Sequence, residues 1–228
     1  MSPELAFDLE LAHGRCVGVR LPPAGPSFEA LAGALLPEER AFAAGLGPVR
    51  RRGWVGGRVA MRLALARAGL EAPPVTSDER GAPVLPSGLA GSLSHKEHVA
   101  VALVAREARA RLGVDIELDV PRRVDVSRRV LAEDELAEVA GLSPMEHDRE
   151  VLLRFSAKEA IYKALDPFVR RYVAFREVSV TPREDGSAGA RMHLPAAEGP
   201  FAVEVRWRRL DGLVLTTARV DLSPSGTS

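Results

Sequence analysis

The sequence has a single cysteine, Cys16, in 228 residues, which excludes an internal disulfide framework and any metal site built from several thiolates. It has no net charge, because 31 Lys and Arg balance 31 Asp and Glu. Without a global basic field, nucleic acid is not an expected partner, and a phosphate site must be a local cluster. No apolar run approaches the length of a membrane span, and Pro3, Glu4 and Asp8 stand where a secretory leader would carry basic residues. No membrane association and a reducing cytoplasm are the expected setting. No His/Cys grouping has zinc-ligand spacing, and His13, His147 and His193 read as surface residues. What is present, 46% hydrophobic and 27% charged residues, is the profile of a globular protein with a sizeable core.

The stretch Phe155-Ser156-Ala157-Lys158-Glu159-Ala160-Ile161-Tyr162-Lys163-Ala164-Leu165 reads as an amphipathic helix with charges where apolar residues belong. At 100° per residue, Val151, Phe155, Tyr162 and Leu165 share one stripe; Lys158 falls inside it and Glu159 at its margin. Lys and Glu are rarely buried without partners. Either this face opens on a cleft, or the charges meet counter-charges from elsewhere in the chain. Ser156 with Glu159 also fits a capping box, and Glu159 with Lys163 an i,i+4 pair.

Taken in order, the chain predicts a strand at Cys16–Leu21, a helix at about Pro37–Leu46, punctuation at Gly47-Pro48, and a second helix from Trp54 to about Ala68. The segment from Glu71 to Gly91 is a Pro/Gly-rich connector. Ser92–Val104 leads into a strand at Val99–Val104, and Gly113–Leu118 is another. Strands follow from Val178, with a pair around Asp211-Gly212, and the 223–228 tail reads as disordered. The second half repeats the first. Val17–Leu21 aligns with Val114–Leu118, Leu36–Glu39 with Leu131–Asp134, and Trp54–Ala64 with Phe155–Leu165. The expectation is an α/β fold of two similar halves, 1–105 and 106–222, about a pseudo-two-fold axis with the active site in the cleft between them.

In this alignment Asp115, Glu117 and Glu159 face Gly18, Arg20 and Arg58, and Arg62 takes the slot of Lys163. One wall is then acidic and the other basic. Asp115 and Glu117, two apart on a strand, project from one face. With Glu159 they make three carboxylates, repelling by about 3 kcal/mol per pair at 6 Å and an effective dielectric of 20. An all-oxygen set of this kind suits Mg²⁺. Opposed to arginines, it points to chemistry on a phosphate ester. Ser94-His95 precedes a strand; it reads as phosphate-oxygen ligands or as a polar loop end, and adjacent residues on a strand diverge too far for a Ser-His nucleophile.

Three ordered blocks resemble the 4′-phosphopantetheinyl transferases of the enterobactin-synthase and surfactin type. They are Gly81-Ala82-Pro83-Val84-Leu85-Pro86 running into Gly91-Ser92-Leu93-Ser94-His95; Gly113-Val114-Asp115-Ile116-Glu117; and Phe155-Ser156-Ala157-Lys158-Glu159-Ala160 with Lys163. Gly57-Arg58 adds to the likeness to the enterobactin-synthase branch. The resemblance covers about residues 35 to 180. It implies a monomeric, two-lobed enzyme that moves phosphopantetheine from coenzyme A to a serine of an apo acyl or peptidyl carrier protein. The pathways it implies are siderophore, polyketide and nonribosomal peptide synthesis. By position, Asp115, Glu117 and Glu159 would hold Mg²⁺ on the pyrophosphate, and Glu159, directly or through a water, would take the serine proton. Lys163 would stabilise the pyrophosphate. Ser94, Lys158 and His95 would contact phosphates, Arg52 and Arg58 the 3′-phosphate, and Arg80 the nucleotide. Residues 141–149, with Arg122, Arg123, Arg128 and Arg129, would meet the acidic carrier.

The chain departs from the family pattern at Phe155, where tryptophan is usual, at Ala82, where some relatives have lysine, and at Lys96, where a small residue is usual. Two other classes compete. A non-catalytic module binding a carrier protein or coenzyme A would not need the full acidic set, and a Mg²⁺-dependent nucleotide phosphohydrolase would release free phosphate.

Overall fold

Two antiparallel sheets, each backed by one long helix, carry the chain. The computed structural model describes residues 3–121 and 124–222, so Arg122, Arg123 and the 223–228 tail lie outside the described residues. The chain divides into two units, Met1–Ala108 and Arg109–Ser228, and the architecture is the expected mixture of helix and sheet. Among the described residues, no helix is long and apolar enough to cross a membrane.

The first unit runs β1 (Leu5–Leu11), β2 (Gly14–Arg20), α1 (Pro26–Ala32), α2 (Pro37–Ala44), α3 (Pro48–Arg67), β3 (Leu89–Lys96) and β4 (Val99–Arg106). The sheet order is β1-β2-β4-β3. Val17 and Val19 of β2 and Ala100, Ala102 and Val104 of β4 bury against Val55, Val59, Ala60 and Ala64 of α3. Three expectations change. The second helix starts at Pro48 and not at Trp54: Gly47 is its N-cap with extended dihedrals, and Pro48 takes the position where a missing N–H costs nothing. Ser94 and His95 lie within β3, which pairs Lys96 with Val99 through a two-residue turn at Glu97-His98. His13, in the β1–β2 turn, is buried at 4% exposed and is not a surface residue.

The second unit runs β5 (Arg111–Leu118), α4 (Ser127–Val130), α5 (Glu133–Val139), α6 (Pro144–Val169), β6 (Val178–Pro182), β7 (Ser187–Met192), β8 (Phe201–Leu210) and β9 (Leu213–Leu222). Its sheet order is β5-β9-β8-β7-β6. The β8–β9 turn is the anticipated Asp211-Gly212, both residues at positive φ. Helix α6 begins eleven residues before Phe155; its capping box is Ser143 with Glu146, which leaves Ser156 and Glu159 mid-helix. Ala157, Ala160, Ile161 and Ala164 pack on Val178, Val180, Val205, Ala218 and Val220.

The topology repeats: in each unit the second strand of a hairpin pairs with the strand that precedes the helices, β4 with β2 and β9 with β5. The register of the repeat differs from the sequence alignment. Val17 and Val19 face α3, whereas on β5 the residues facing α6 are Gly113 and Asp115. Asp115 and Gly18 therefore point to opposite sides of their sheets. Glu39 is equivalent to Glu135, not Asp134. Each is buried at the third position of its short helix, accepting from the N-cap N–H (Leu36, 3.1 Å; Ala132, 2.7 Å) and from a distant backbone N–H (Val75, 2.8 Å; Val180, 2.7 Å).

Arg171, just after α6, donates to both Glu177 and Glu198, and these bonds hold both carboxyls below their ordinary 4.5. Lowered acids contribute stability that is complete above the unfolded value and fades as pH falls through the folded one. The urea midpoint is therefore expected to drop as pH goes below 4.5, and Arg171→Met should flatten that dependence; equal slopes in circular-dichroism titrations would refute the assignment.

Candidate active site

On β5, alternation puts Gly113, Asp115 and Glu117 on the face toward α6. Asp115 and Glu117 are 4% and 7% exposed. Lys163 Nζ of α6 donates to Asp115 Oδ1 (2.8 Å) and to the Val114 carbonyl (2.9 Å). Ser156, two turns earlier, donates to Asp115 Oδ2 (2.8 Å). Thr216, opposite Asp115 in the β5–β9 ladder, donates to the Ser156 carbonyl (2.8 Å) and touches its hydroxyl (2.9 Å). Both oxygens of Asp115 are thus fixed in direction by one helix, while the Lys163 side chain stays 29% exposed. Glu159 lies between Ser156 and Lys163 on α6, half-buried.

The structure brings Asp115 and Lys163 together. It does not close the three carboxylates into one cluster: among the described residues, no three His, Cys, Asp or Glu side chains gather as metal ligands. The donor chemistry nonetheless fits a hard cation, since two nine-tenths buried carboxylates share a strand face and offer only oxygen.

Lys158 is a correction. It is fully buried, and its ammonium donates to Glu135 Oε2 (2.5 Å), the Val130 carbonyl (2.8 Å) and the Phe175 carbonyl (2.9 Å). All three protons are used inside the unit, which leaves none for a phosphate. Burial pulls its pKa down, and the Glu135 carboxylate opposes that shift.

Arg58 is a second correction. It is 2% exposed and donates to the Val75 and Thr76 carbonyls (2.7 and 2.9 Å) and to Ser77 Oγ (2.7 Å), with Trp54 stacked on it at 4.7 Å. Burial lowers its pKa to about 10. It anchors the connector where a 3′-phosphate contact was expected. Arg62 does the same for the Ala72 and Pro73 carbonyls (2.8 and 2.7 Å) while pairing with Glu39. Arg52 ties the Leu21, Pro22 and Glu97 carbonyls together and is half-buried. Arg80 stands on an exposed turn whose backbone is held by Asp78. His95 is exposed and lies over Gly53 of α3, where an added Cβ would be 2.4 Å from its Nε2.

Residues 38–105 match the profile of the 4′-phosphopantetheinyl transferase N-terminal domain, and residues 111–218 that of the 4′-phosphopantetheinyl transferase superfamily. The chain is 36% identical over 204 residues to 4′-phosphopantetheinyl transferase Svp of Streptomyces mobaraensis, covering 85% of this chain and 81% of that protein. The chain belongs to the 4′-phosphopantetheinyl transferase superfamily. Two further relatives are the 4′-phosphopantetheinyl transferases Npt of Nocardia iowensis, at 35% over 73% of this chain and 81% of that one, and PptT of Mycobacterium tuberculosis, at 30% over 79% and 84%.

In this transferase, sequence reasoning missed Ser156 and Thr216 as the residues that orient Asp115. Ser156 carried a signal, a hydroxyl on the helix next to the charged stripe, but it was absorbed by the capping reading. Thr216 carried none, because its place opposite Asp115 follows only from the β5–β9 register.

Proposed function

We propose that the protein transfers 4′-phosphopantetheine from coenzyme A to a serine of an apo acyl or peptidyl carrier protein, with Mg²⁺, releasing adenosine 3′,5′-bisphosphate. The observation that carries this reading is the Asp115–Lys163 pair beside Glu117 and Glu159, in a chain whose relatives are transferases of this name. The serine oxygen forms a bond to the phosphorus that bears pantetheine, and the bridging bond of the pyrophosphate breaks. The electron pair leaves with the adenosine bisphosphate.

Asp115, Glu117 and Glu159 would hold the Mg²⁺, which supplies neutralisation of charge on the pyrophosphate. Lys163, partly exposed, meets the same charge from α6, and Asp115 keeps its ammonium in place. Glu159, half-buried and mid-helix, receives the serine proton. Such transfer depends on positioning and charge, with little covalent help from the protein. Ser94, His95, Arg80 and the half-buried Arg52 are the remaining candidates for the phosphate and nucleotide contacts. The carrier docks at residues 141–149, where Leu142, Met145 and Arg149 are exposed, and the exposed Arg128 and Arg129 suit its acidic surface.

Intact-protein mass spectrometry tests the proposal. Incubated with coenzyme A, Mg²⁺ and an apo carrier, the protein is expected to add one phosphopantetheine mass to the carrier, and EDTA should stop it. Free phosphate with an unmodified carrier would show a hydrolase; coenzyme A binding with neither product would show a binding module.

A further inference from the structure

Lys158 and Arg62 occupy equivalent places in the two units. Each is a cation on the long helix that donates to the buried glutamate at the third position of the short helix, Glu135 at 2.5 Å and Glu39 at 2.6 Å, and to backbone carbonyls of the segment that follows the long helix, Phe175 in one unit and Ala72 and Pro73 in the other. The sequence alignment of Phe155 on Trp54, which set Arg62 against Lys163, is therefore not the structural one at these helices, and the neighbour of the pin in the second unit is Glu159. In the first unit the pinned segment continues into the 78–82 turn that carries Arg80. In the second unit the pin gathers the end of α4 at Val130, the start of α5 at Glu135 and the 3₁₀ turn at Phe175 onto one residue of α6.

The surroundings reinforce this. Phe155 and Tyr162, one turn to either side of Lys158, both lie 5.4 Å from the Phe175 ring, and the Tyr162 hydroxyl donates to the Ala174 carbonyl at 3.0 Å. A helix held at three successive turns cannot rotate about its axis. A rotation of one residue is 100°, so even a fraction of it swings the side chains that follow Lys158 off the β5 face.

We propose that Lys158 is a positioning residue for the transfer reaction: it fixes the rotation of α6 so that Glu159 and Lys163 stay aligned with Asp115, and it makes no contact with coenzyme A. This rests on the transferase reading above. It assigns to Lys158 an effect on turnover without one on coenzyme A affinity, the reverse of what a phosphate ligand would show.

The test measures kcat, KM for coenzyme A, and coenzyme A affinity by calorimetry without carrier, for Lys158→Met and Lys158→Arg. Folded Lys158→Met is expected to lose about 100-fold in kcat, the scale of a 1 Å misplacement, with KM and affinity for coenzyme A near wild type. Lys158→Arg, which places the first unit's residue in the second, should retain most of kcat. Removing one partner of a buried ion pair can unfold a protein, whereas replacing both with apolar residues often does not. If the single variant does not fold, Glu135→Leu/Lys158→Met is read in the same way. Coenzyme A binding weakened tenfold or more with kcat preserved would make Lys158 a phosphate ligand and overturn the proposal; so would a folded variant with wild-type kcat. A wild-type protein that modifies no carrier sinks the transferase reading and this inference with it, whereas an active wild type with either of those variant results sinks only the inference.

Discussion

Asp115→Asn is expected to lower the rate of carrier modification by about 1,000-fold or more, about 4 kcal/mol of transition-state stabilisation, with the fold retained. The substitution keeps the shape and both acceptor directions partly intact: an amide oxygen can still receive Lys163 or Ser156, the two donors that Asp115 holds at 2.8 Å. What it removes is the charge. Lys163 then loses the anion that fixes its ammonium, and the carboxylate set proposed for the metal falls from three to two. Because the Lys163 side chain is 29% exposed, water can solvate its ammonium when the partner goes, and the melting temperature should move little. Single-turnover transfer at saturating coenzyme A, followed by mass spectrometry and paired with a thermal melt, checks both halves. A wild-type rate with unchanged Mg²⁺ dependence would remove Asp115 from the mechanism.

The acidic half of this site was legible because its signal is local. Alternation over Gly113–Leu118 places Asp115 and Glu117 on one face whatever else the chain does, and β5 spans those residues. The misplaced charge at Lys158 was legible too, as a lysine inside an apolar stripe. Its consequence was not, since sequence alone left open a cleft or a counter-charge from elsewhere. The counter-charge is Glu135, 23 residues away and brought in by α5; no spacing rule connects the two.

The arginines of the first unit failed for a different reason. Arg58 and Arg62 were read as a basic wall, but the connector that follows them contains Pro73 and Pro74, and a proline-rich segment cannot pair its carbonyls in regular structure. The carbonyls of residues 72, 73, 75 and 76 take guanidinium donors instead. That demand was visible in the sequence, as two arginines four apart on a helix leading into a Pro-Pro loop. The one-residue slips in the repeat have a common origin. Aligning like residue types matched Val17 to Val114, although one faces its helix and the other does not, and only the packing of the strands tells them apart.

The largest stability effect is expected at Gly113, where β5 and α6 touch backbone to backbone. A Cβ there would sit 1.8 Å from the Ala160 carbonyl oxygen, 2.7 Å from its carbon and 3.2 Å from the Ala164 nitrogen. These atoms belong to helical peptide groups in the middle of α6, so no side-chain rotation relieves the overlap; the helix must move by more than an ångström. Overpacking of this kind exceeds the usual 1–3 kcal/mol, and Gly113→Ala should unfold at markedly lower urea or fail to accumulate as folded protein. Whatever folds should also be slow, since moving α6 away from β5 stretches the 2.8 Å contact between Lys163 and Asp115, and a 1 Å displacement costs about 100-fold. Gly57→Ala is the control. A Cβ at Gly57 meets only Leu93 at an ordinary 3.7 Å, and in a helix interior alanine is favoured over glycine by about 1 kcal/mol, so that variant should be as stable as wild type or more so. Equal urea midpoints for the two variants would mean that α6 and β5 are not held in this contact, and the alignment of Asp115 with Lys163 would then need another source.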